Sequence, residues 1–258
     1  MKILTLLCGL LIVLLTAWVK GQDMEIMMKP EIYSNASGEH MKYRIYLPEG
    51  IDKAGKCSLL MFLHGAGERG DDNKKQLKHC VKDIIAWAME NKEPVILVAP
   101  QCPADSWWIN IQWGAGIHAM SAAPALPMKL VLELCDKVAA QYPVDQARIY
   151  IAGLSMGGYG TWEAIQRKPD YFAAAMPVCG GGDEKLAERI RNVPVWAFHG
   201  DKDPTVPPER SRAMIAAMKK CGGTPLYTEY DGVGHDSWTR TFANPDVLRW
   251  LFDQKKKE

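Results

Sequence analysis

The stretch Gly153-Leu154-Ser155-Met156-Gly157-Gly158 decides the fold of this chain. It follows an apolar run at 148–152 and precedes a segment at 159–168 with a helical pattern. A Gly-x-Ser-x-Gly sequence between a strand and a helix is typical of a sharp turn that lifts a serine hydroxyl above a sheet. Glycines flank the serine because a Cβ there would collide with the neighbouring strand or helix. The helix that begins at the serine also aims N–H groups and its positive dipole end at the same point, where an oxyanion would be stabilised.

The chain has 258 residues, of which 48% are hydrophobic, so it can bury a large core. This length suits one α/β domain over residues 22–258 better than two small domains. Lysine and arginine number 31 against 30 aspartates and glutamates, which gives a net charge of +1. Such a balance gives no reason to expect a nucleic acid or a strongly charged polymer as a partner.

Residues 1–21 have the pattern of a secretory signal peptide. Lys2 supplies a short positive region, and residues 3–19 are almost wholly apolar. Val19-Lys20-Gly21 offers small or aliphatic residues where a signal peptidase acts, so we expect cleavage after Gly21. An uncleaved membrane anchor is the alternative, but the apolar run is shorter than the roughly 20 residues of a spanning helix. We therefore expect a secreted or periplasmic protein with no stable membrane insertion after cleavage.

The cysteines leave two interpretations open. The chain has 7 cysteines, and Cys8 leaves with the signal. The others are Cys57, Cys80, Cys102, Cys135, Cys179 and Cys221. An exported protein permits disulfides among them, but the sequence does not choose a pairing, and buried free thiols are the alternative. No spacing is typical of zinc ligands, so no metal is expected, and the sequence does not determine the oligomeric state.

Predicted strands and helices alternate along most of the chain. Two strands at 25–33 and 42–47 show the polar–apolar alternation of a half-buried antiparallel pair. Further strands are predicted at 58–63, 95–99, 148–152, 173–178, 195–199 and 226–230. Helices are predicted at 81–89, 126–141, 156–168, 183–191, 208–220 and 245–254. This order predicts an α/β fold, with a mostly parallel sheet, an antiparallel N-terminal start and helices on both faces.

Two loops after later strands carry the groups that a serine nucleophile needs. A serine hydroxyl requires a base to remove its proton, and that base requires an orienting carboxylate. Asp201 and Asp203 follow one strand, and His235 lies on a glycine-framed loop after the last strand. Active sites of open α/β sheets collect at the carboxyl edge where these loops lie. The histidines without such a position are His40, His64, His79, His118 and His199.

The chain resembles the α/β-hydrolase superfamily in these motifs. It also resembles that superfamily in a further loop, His64-Gly65-Ala66-Gly67-Glu68-Arg69-Gly70. The resemblance is strongest to its lidless secreted esterase branch. That branch includes phospholipase/carboxylesterase-like, dienelactone-hydrolase-like and feruloyl-esterase-like enzymes and "predicted peptidases". The resemblance covers nearly all of the mature chain. It implies that Ser155 is the nucleophile and that His235 is the general base and then the general acid. Its His-Gly-x-x-Asp pattern favours Asp203 over Asp201 as the carboxylate.

The resemblance also implies an oxyanion hole built from backbone N–H groups. One N–H belongs to Met156, the residue after the nucleophile, and the other to Ala66, in the loop after the first buried strand. Glu68 and Arg69 in the same loop are expected either to pair with one another or to shape the pocket.

A long loop at 101–127 holds Trp107, Trp108 and Trp113. The family tends to place such a tryptophan near the acyl or alcohol pocket, so Trp107 and Trp108 are expected to line a substrate pocket. The alternative is that they pack the loop onto the body. An aromatic wall would suit a sugar ring or an aryl acid through stacking and apolar burial. Cys179 also lies at this edge, but no base accompanies it, so it is not expected to be a second nucleophile.

The sequence therefore predicts a secreted serine hydrolase that cleaves carboxylic esters through an acyl-enzyme, with no cofactor or metal. No insertion is long enough to form a hydrophobic lid, which favours small-molecule or polysaccharide-borne esters, such as acetyl or feruloyl esters. A serine peptidase of the prolyl-oligopeptidase type is one alternative, although the propeller domain of those enzymes has no counterpart in this sequence. A non-catalytic binding protein on a hydrolase scaffold is the other.

Overall fold

A computed structural model of the chain describes residues 24–51, 55–111 and 117–256. The strands are β1 (Lys29–Ser34), β2 (His40–Tyr46), β3 (Cys57–Leu63), β4 (Val95–Pro100), β5 (Val144–Leu154), β6 (Ala174–Val178), β7 (Trp196–Gly200) and β8 (Leu226–Tyr230). The α-helices are α1 (Met24–Met27), α2 (Val81–Asn91), α3 (Leu126–Gln141), α4 (Met156–Arg167), α5 (Glu209–Lys220), α6 (Trp238–Phe242) and α7 (Pro245–Asp253). Segments of 3₁₀ helix lie at Ala66–Glu68, Lys75–Leu77 and Glu184–Ile190. The predicted signal peptide, residues 1–21, and Trp113 lie outside the described residues.

The eight strands form one sheet in the order β1-β2-β4-β3-β5-β6-β7-β8. β1 pairs with β2 and β2 pairs with β4 in antiparallel fashion. Every neighbouring pair from β4 to β8 is parallel. The predicted α/β fold class with its antiparallel start is confirmed. Because parallel strands end at the same edge, the loops after β3, β5, β7 and β8 all begin there.

Two hydrophobic cores lie on opposite faces of this sheet. Leu59, Met61 and Leu63 of β3 enter one core, and Leu60 and Phe62 enter the other, because side chains alternate along a strand. All 7 residues of β3 are buried, as expected for a strand that is covered on both sides. Helices α3, α4 and α5 cover the first face, whereas α2 and α7 cover the second. The predicted helices on both faces are thus confirmed.

Two short elements differ from the prediction. The segment at 25–33 is extended only from Lys29, because Met24–Met27 form a helical turn. Met24 and Met28 are both buried in the second core, and a spacing of four residues places them on one side of a helix rather than on opposite faces of a strand. Helix α6 was not predicted, since its 5 residues are too few to show a helical period.

The described cysteines form no disulfide: all six are free thiols, and five of them are buried. Of the two interpretations of the cysteines, the structure therefore supports buried thiols that pack the interior. Within the described ranges, no helix combines the length and the apolar character that crossing a membrane requires.

Candidate active site

Ser155 lies at the junction of β5 and α4, at the carboxyl edge of the sheet. Its backbone has φ 53° and ψ −117°, a conformation that residues other than glycine rarely adopt. The Ser155 N–H donates to Val178 O of the neighbouring strand over 2.9 Å, which holds the turn in place. The turn leaves the serine half-exposed above the sheet, where a substrate can reach its hydroxyl.

Gly153 and Gly157 are required at this turn by lack of space. A Cβ on Gly157 would lie 2.0 Å from Leu63 O, and one on Gly153 would lie 2.4 Å from Gly157 O. No Cβ approaches a backbone oxygen so closely, so only glycine lets α4 pack this tightly against the end of β3. This close packing brings the first turn of α4 beside the loop that follows β3.

His235, in the loop after β8, connects the serine to a carboxylate. Its Nδ1 lies 2.7 Å from Asp203 Oδ2, and its Nε2 lies 2.9 Å from Ser155 Oγ. An ionised carboxylate only accepts hydrogen bonds, so Nδ1 carries the proton and Nε2 accepts from the serine hydroxyl. The indole of Trp238 packs perpendicular to the imidazole with ring centroids 5.2 Å apart. The structure thus brings together the three residues that the sequence predicted.

Asp203 lies in the loop after β7, and its side chain is fully buried. Its Oδ1 accepts from the N–H groups of Thr205 and Val206 at 2.8 and 2.9 Å. Its Oδ2 faces His235 and also His199, whose Nε2 is 3.2 Å away. Burial by itself raises the pKa of a carboxyl group, but these hydrogen bonds outweigh it and hold the pKa of Asp203 well below its usual range. The carboxylate is therefore ionised near neutral pH.

Asp201, the alternative carboxylate, takes part in other interactions. Its Oδ2 lies 3.4 Å from Lys202 Nζ, and its backbone N–H donates to Tyr230 O at the end of β8. Of the two aspartates in this loop, Asp203 is the one whose carboxylate meets His235.

The contact between His199 and Asp203 was not predicted from the sequence, which placed His199 only among the histidines without a glycine-framed loop position. His199 is fully buried at the end of β7, with its Nδ1 2.7 Å from Ser211 Oγ. Its Nε2 lies 2.9 Å from Val206 O as well as close to Asp203. Both neighbours of Nε2 are acceptors, so this nitrogen carries a proton and donates to them. The only signal in the sequence is a histidine at a strand end, four residues before the carboxylate.

Ala66 and Met156 each begin a helical turn close to Ser155. Met156 is the first residue of α4, and Ala66 is the first residue of the 3₁₀ turn after β3. The first residues of a helix have N–H groups with no acceptor inside the helix, so these groups can serve a ligand. The two turns adjoin, because a Cβ on Gly65 would lie only 3.7 Å from Ser155 Cβ.

His64 holds the peptide that carries the Ala66 N–H. The Cys102 N–H donates to His64 Nε2 over 3.0 Å, so the proton of the neutral ring lies on Nδ1. This Nδ1 is 2.6 Å from Gly65 O, the carbonyl of the Gly65–Ala66 peptide. Burial lowers the pKa of His64 to about 4, so the ring is neutral near pH 7. This contact, too, was not predicted from the sequence.

The two predicted pocket tryptophans have different environments. Trp108 is fully buried, its Nε1–H donates to His64 O over 2.9 Å, and its ring packs against the His64 imidazole. The prediction that Trp108 lines a substrate pocket is wrong, because its side chain has no exposed surface. Trp107 is half-buried, and the Arg69 guanidinium lies 3.9 Å from the centroid of its ring. For Trp107 the pocket assignment stays a prediction.

Glu68 and Arg69 have separate partners. Glu68 is buried, and its Oε1 lies 3.5 Å from His79 Nε2. Arg69 donates from Nε to Ala66 O at 3.0 Å and from Nη1 to Ser106 O at 3.3 Å. Of the two alternatives for these residues, pairing with one another is therefore not seen. Both nevertheless shape the loop that begins with Ala66.

Cys179, Asp203 and His235 are the described residues whose ligand atoms lie close enough to share a metal ion, within 4.8 Å of one another. Burial raises the pKa of the Cys179 thiol far above its usual value, so the thiol is protonated near pH 7 and is both a poor ligand and a poor nucleophile. Asp203 and His235 already direct their facing atoms at each other. This donor set suits hydrogen bonding better than metal coordination.

Comparison with known proteins gives a family. The family model Esterase, described as "Putative esterase", matches residues 34–237. This span contains Ser155, Asp203 and His235, the strands β2 to β8 and the last residue of β1. The match supports the resemblance to α/β-hydrolase esterases that the motifs indicated.

Individual relatives agree with the family. A bifunctional acetylxylan esterase/xylanase of Neocallimastix patriciarum is 24% identical over 172 residues, which cover 66% of this chain and 22% of that protein. A solved thermostable esterase is 36% identical with a TM-score of 0.78, over 89% of this chain and 64% of its own. A ferulic acid esterase shares the fold, with a TM-score of 0.65 at 22% identity, over 87% of this chain and 97% of its own. The chain thus spans less than two thirds of the first two proteins.

Proposed function

We propose that this chain, which belongs to the Esterase family, is a secreted serine esterase that hydrolyses carboxylic esters through an acyl-enzyme. The observation that carries the proposal is the unbroken run of hydrogen bonds from Ser155 through His235 to Asp203, at 2.9 and 2.7 Å. A serine whose proton can pass to a histidine held by a buried carboxylate is activated for attack on an acyl carbon. This chemistry requires no cofactor.

In the acylation step, Ser155 Oγ attacks the ester carbonyl carbon while His235 Nε2 takes the hydroxyl proton. The ionised carboxylate of Asp203 stabilises the imidazolium that forms. The N–H groups of Ala66 and Met156 donate to the carbonyl oxygen as it becomes negative. His235 then returns the proton to the alkoxide leaving group, so the alcohol departs and the acyl group stays on Ser155.

In the deacylation step, a water molecule takes the place of the alcohol. His235 Nε2 accepts a proton from this water as its oxygen attacks the acyl carbon, and the same N–H donors stabilise the second oxyanion. The intermediate collapses with cleavage of the acyl–Oγ bond, and the proton on His235 passes to Ser155 Oγ. The carboxylic acid leaves, and the resting hydrogen bonds re-form.

We infer that the substrates are small or polysaccharide-borne esters, with acetyl and feruloyl esters as the leading classes. The names of two similar proteins, an acetylxylan esterase and a ferulic acid esterase, support this inference. The half-buried indole of Trp107, which lies against the Arg69 guanidinium, is the aromatic group that we expect to contact an aryl acid or a sugar ring. The signal-like pattern at residues 1–21 supports export, which would bring the enzyme to such polymers.

The first test replaces the nucleophile. Ser155→Ala is expected to lower ester hydrolysis by about 10⁴-fold or more, because the members of a triad act as a unit. The assay uses p-nitrophenyl acetate, methyl ferulate and acetylated xylan, with the exposed Ser37→Ala variant as a matched control. A fluorophosphonate should label Ser155, as located by peptide mass spectrometry. An active Ser155→Ala variant, or labelling of a different serine, would contradict the assignment.

Adding a peptidyl-prolyl anilide to the panel separates the alternatives. Cleavage of the anilide without ester hydrolysis would make the chain a serine peptidase that uses the same three residues. If no substrate is turned over and no serine is labelled, the chain is better described as a binding protein on a hydrolase scaffold.

A further inference from the structure

The turn that carries the Ala66 N–H is short and weakly closed by its own backbone. It is a 3₁₀ segment of 3 residues, Gly65 before it has no capping side chain, and its Glu68 N–H to Gly65 O hydrogen bond is 3.3 Å long. An oxyanion hole works only if its donors are held in position before the charge develops. Side chains must therefore hold the turn: His64 contacts the Gly65 carbonyl, and the Ala66 carbonyl needs a partner of its own.

Arg69 makes three contacts that tie this turn to the loop after β4. Its Nε donates to Ala66 O at 3.0 Å, and its Nη1 donates to Ser106 O at 3.3 Å. Its guanidinium carbon also lies over the Trp107 ring, 3.9 Å from the ring centroid. A planar guanidinium can make all three contacts at once, whereas the point charge of a lysine cannot.

In the part of the chain that the structure describes, no carboxylate forms an ion pair with Arg69. Glu68 beside it directs its carboxylate to His79. A half-buried positive charge therefore remains on the loop that carries the Ala66 N–H. Such a charge stabilises the transition state more than the neutral ester that precedes it.

We propose that Arg69 is a positioning residue for the oxyanion hole, which locks the Ala66 turn to the Trp107 loop and keeps a positive charge on the loop that supplies the Ala66 N–H. The inference rests on the proposed roles of Ser155 and Ala66. Arg69 acts in the transition state and not on the bound ester, so its loss should reduce kcat and leave KM nearly unchanged.

The test compares Arg69→Ala and Arg69→Lys with Arg249→Ala, which removes a surface arginine paired with Asp246 on α7. We expect kcat for p-nitrophenyl acetate to fall about 10- to 100-fold in Arg69→Ala, with KM within about twofold of wild type. The inhibition constant of an aryl trifluoromethyl ketone, which forms a tetrahedral oxyanion on Ser155, should rise by a similar factor. Added methylguanidine should restore part of the kcat of Arg69→Ala and leave that of Arg249→Ala unchanged.

Arg69→Lys keeps the charge and one donor, so it should fold like wild type and lose about 3- to 10-fold in kcat. This variant tests the proposal even if Arg69→Ala does not fold. An unchanged kcat in a folded Arg69 variant would overturn the proposal. The proposal would also be overturned by a variant whose kcat falls while its KM rises by the same factor, whose melting temperature is lower, and whose kcat is not restored by methylguanidine. If wild type hydrolyses no ester or Ser155→Ala stays active, the proposed function has failed; if both behave as expected, only the role of Arg69 is in question.

Discussion

Replacing Asp203 with asparagine removes one charge and turns the acceptor Oδ2, which faces both His235 and His199, into a donor, with little change in shape. The asparagine oxygen can still accept from the N–H groups of Thr205 and Val206, as Oδ1 does at 2.8 and 2.9 Å. Its NH₂ group would then face His235 Nδ1, where a carboxylate oxygen now lies at 2.7 Å. Two donors cannot share that hydrogen bond, so the imidazole must move its proton to Nε2 and can no longer accept from Ser155.

The magnitude follows from how strongly this carboxylate is held. Its side chain is fully buried, and the hydrogen bonds from His199 and His235 help to keep its pKa well below the usual range, so wild type always presents a full negative charge to the imidazolium. Loss of the triad carboxylate lowers turnover by about 10²- to 10⁴-fold. At about 1.4 kcal/mol for each factor of ten, this corresponds to about 3 to 5 kcal/mol of activation free energy. Because asparagine fills this fully buried position, no water molecule can enter and supply the missing acceptor. We therefore expect a loss of turnover near the upper end of this range.

The assay measures kcat for p-nitrophenyl acetate together with the melting temperature of each variant. Asp201→Asn is the matched control, since it changes the same chemical group two residues away and should keep turnover within a few-fold of wild type. A larger loss in Asp201→Asn than in Asp203→Asn would refute the assignment of the carboxylate. A folded Asp203→Asn variant within about tenfold of wild-type turnover would refute the reasoning from tautomer and charge.

Three further substitutions test the surroundings of the site. Trp107→Ala should raise KM for methyl ferulate about tenfold, or about 1.4 kcal/mol, and leave p-nitrophenyl acetate nearly unchanged; equal effects on both esters would make Trp107 a packing residue. Trp108→Ala should lower the free energy of unfolding in urea by about 3 to 5 kcal/mol, because it empties a buried site and breaks the hydrogen bond to His64 O; an unchanged unfolding midpoint would contradict its burial. Gly157→Ala should lower stability and ester turnover together, since its Cβ would lie 2.0 Å from Leu63 O; a stable and fully active variant would show that α4 does not pack as described.

Features that depend on neighbouring residues could be predicted from the sequence. The turn at Ser155 was predictable because its glycines and the flanking apolar strand stand within a few positions of it. β3 was predictable because a strand covered on both faces must be apolar at every position. The positions of Asp203 and His235 followed from a general rule, that loops after parallel strands meet at one edge of the sheet.

Choices between adjacent loop residues were decided only by the tertiary structure. From the residues alone, Asp201 and Asp203 were equivalent, and the resemblance to a family was needed to favour the second. Trp107 and Trp108 were likewise predicted together, yet one is half-exposed and the other is fully buried. An irregular loop has no periodicity to assign its side chains to a face, so only their partners decide.

Those partners lie far away in the sequence. Trp108 is held inside by the carbonyl of His64 at the end of β3, 44 positions earlier in the chain. A separation of 37 positions explains in the same way why Arg69 could not be assigned, since its contacts with Ser106 and Trp107 exist only after two loops have met. The sequence by itself therefore determined the strands, the turn and the residue types of the site. The fold decided which side chains face the serine, because that depends on long-range packing that no local pattern records.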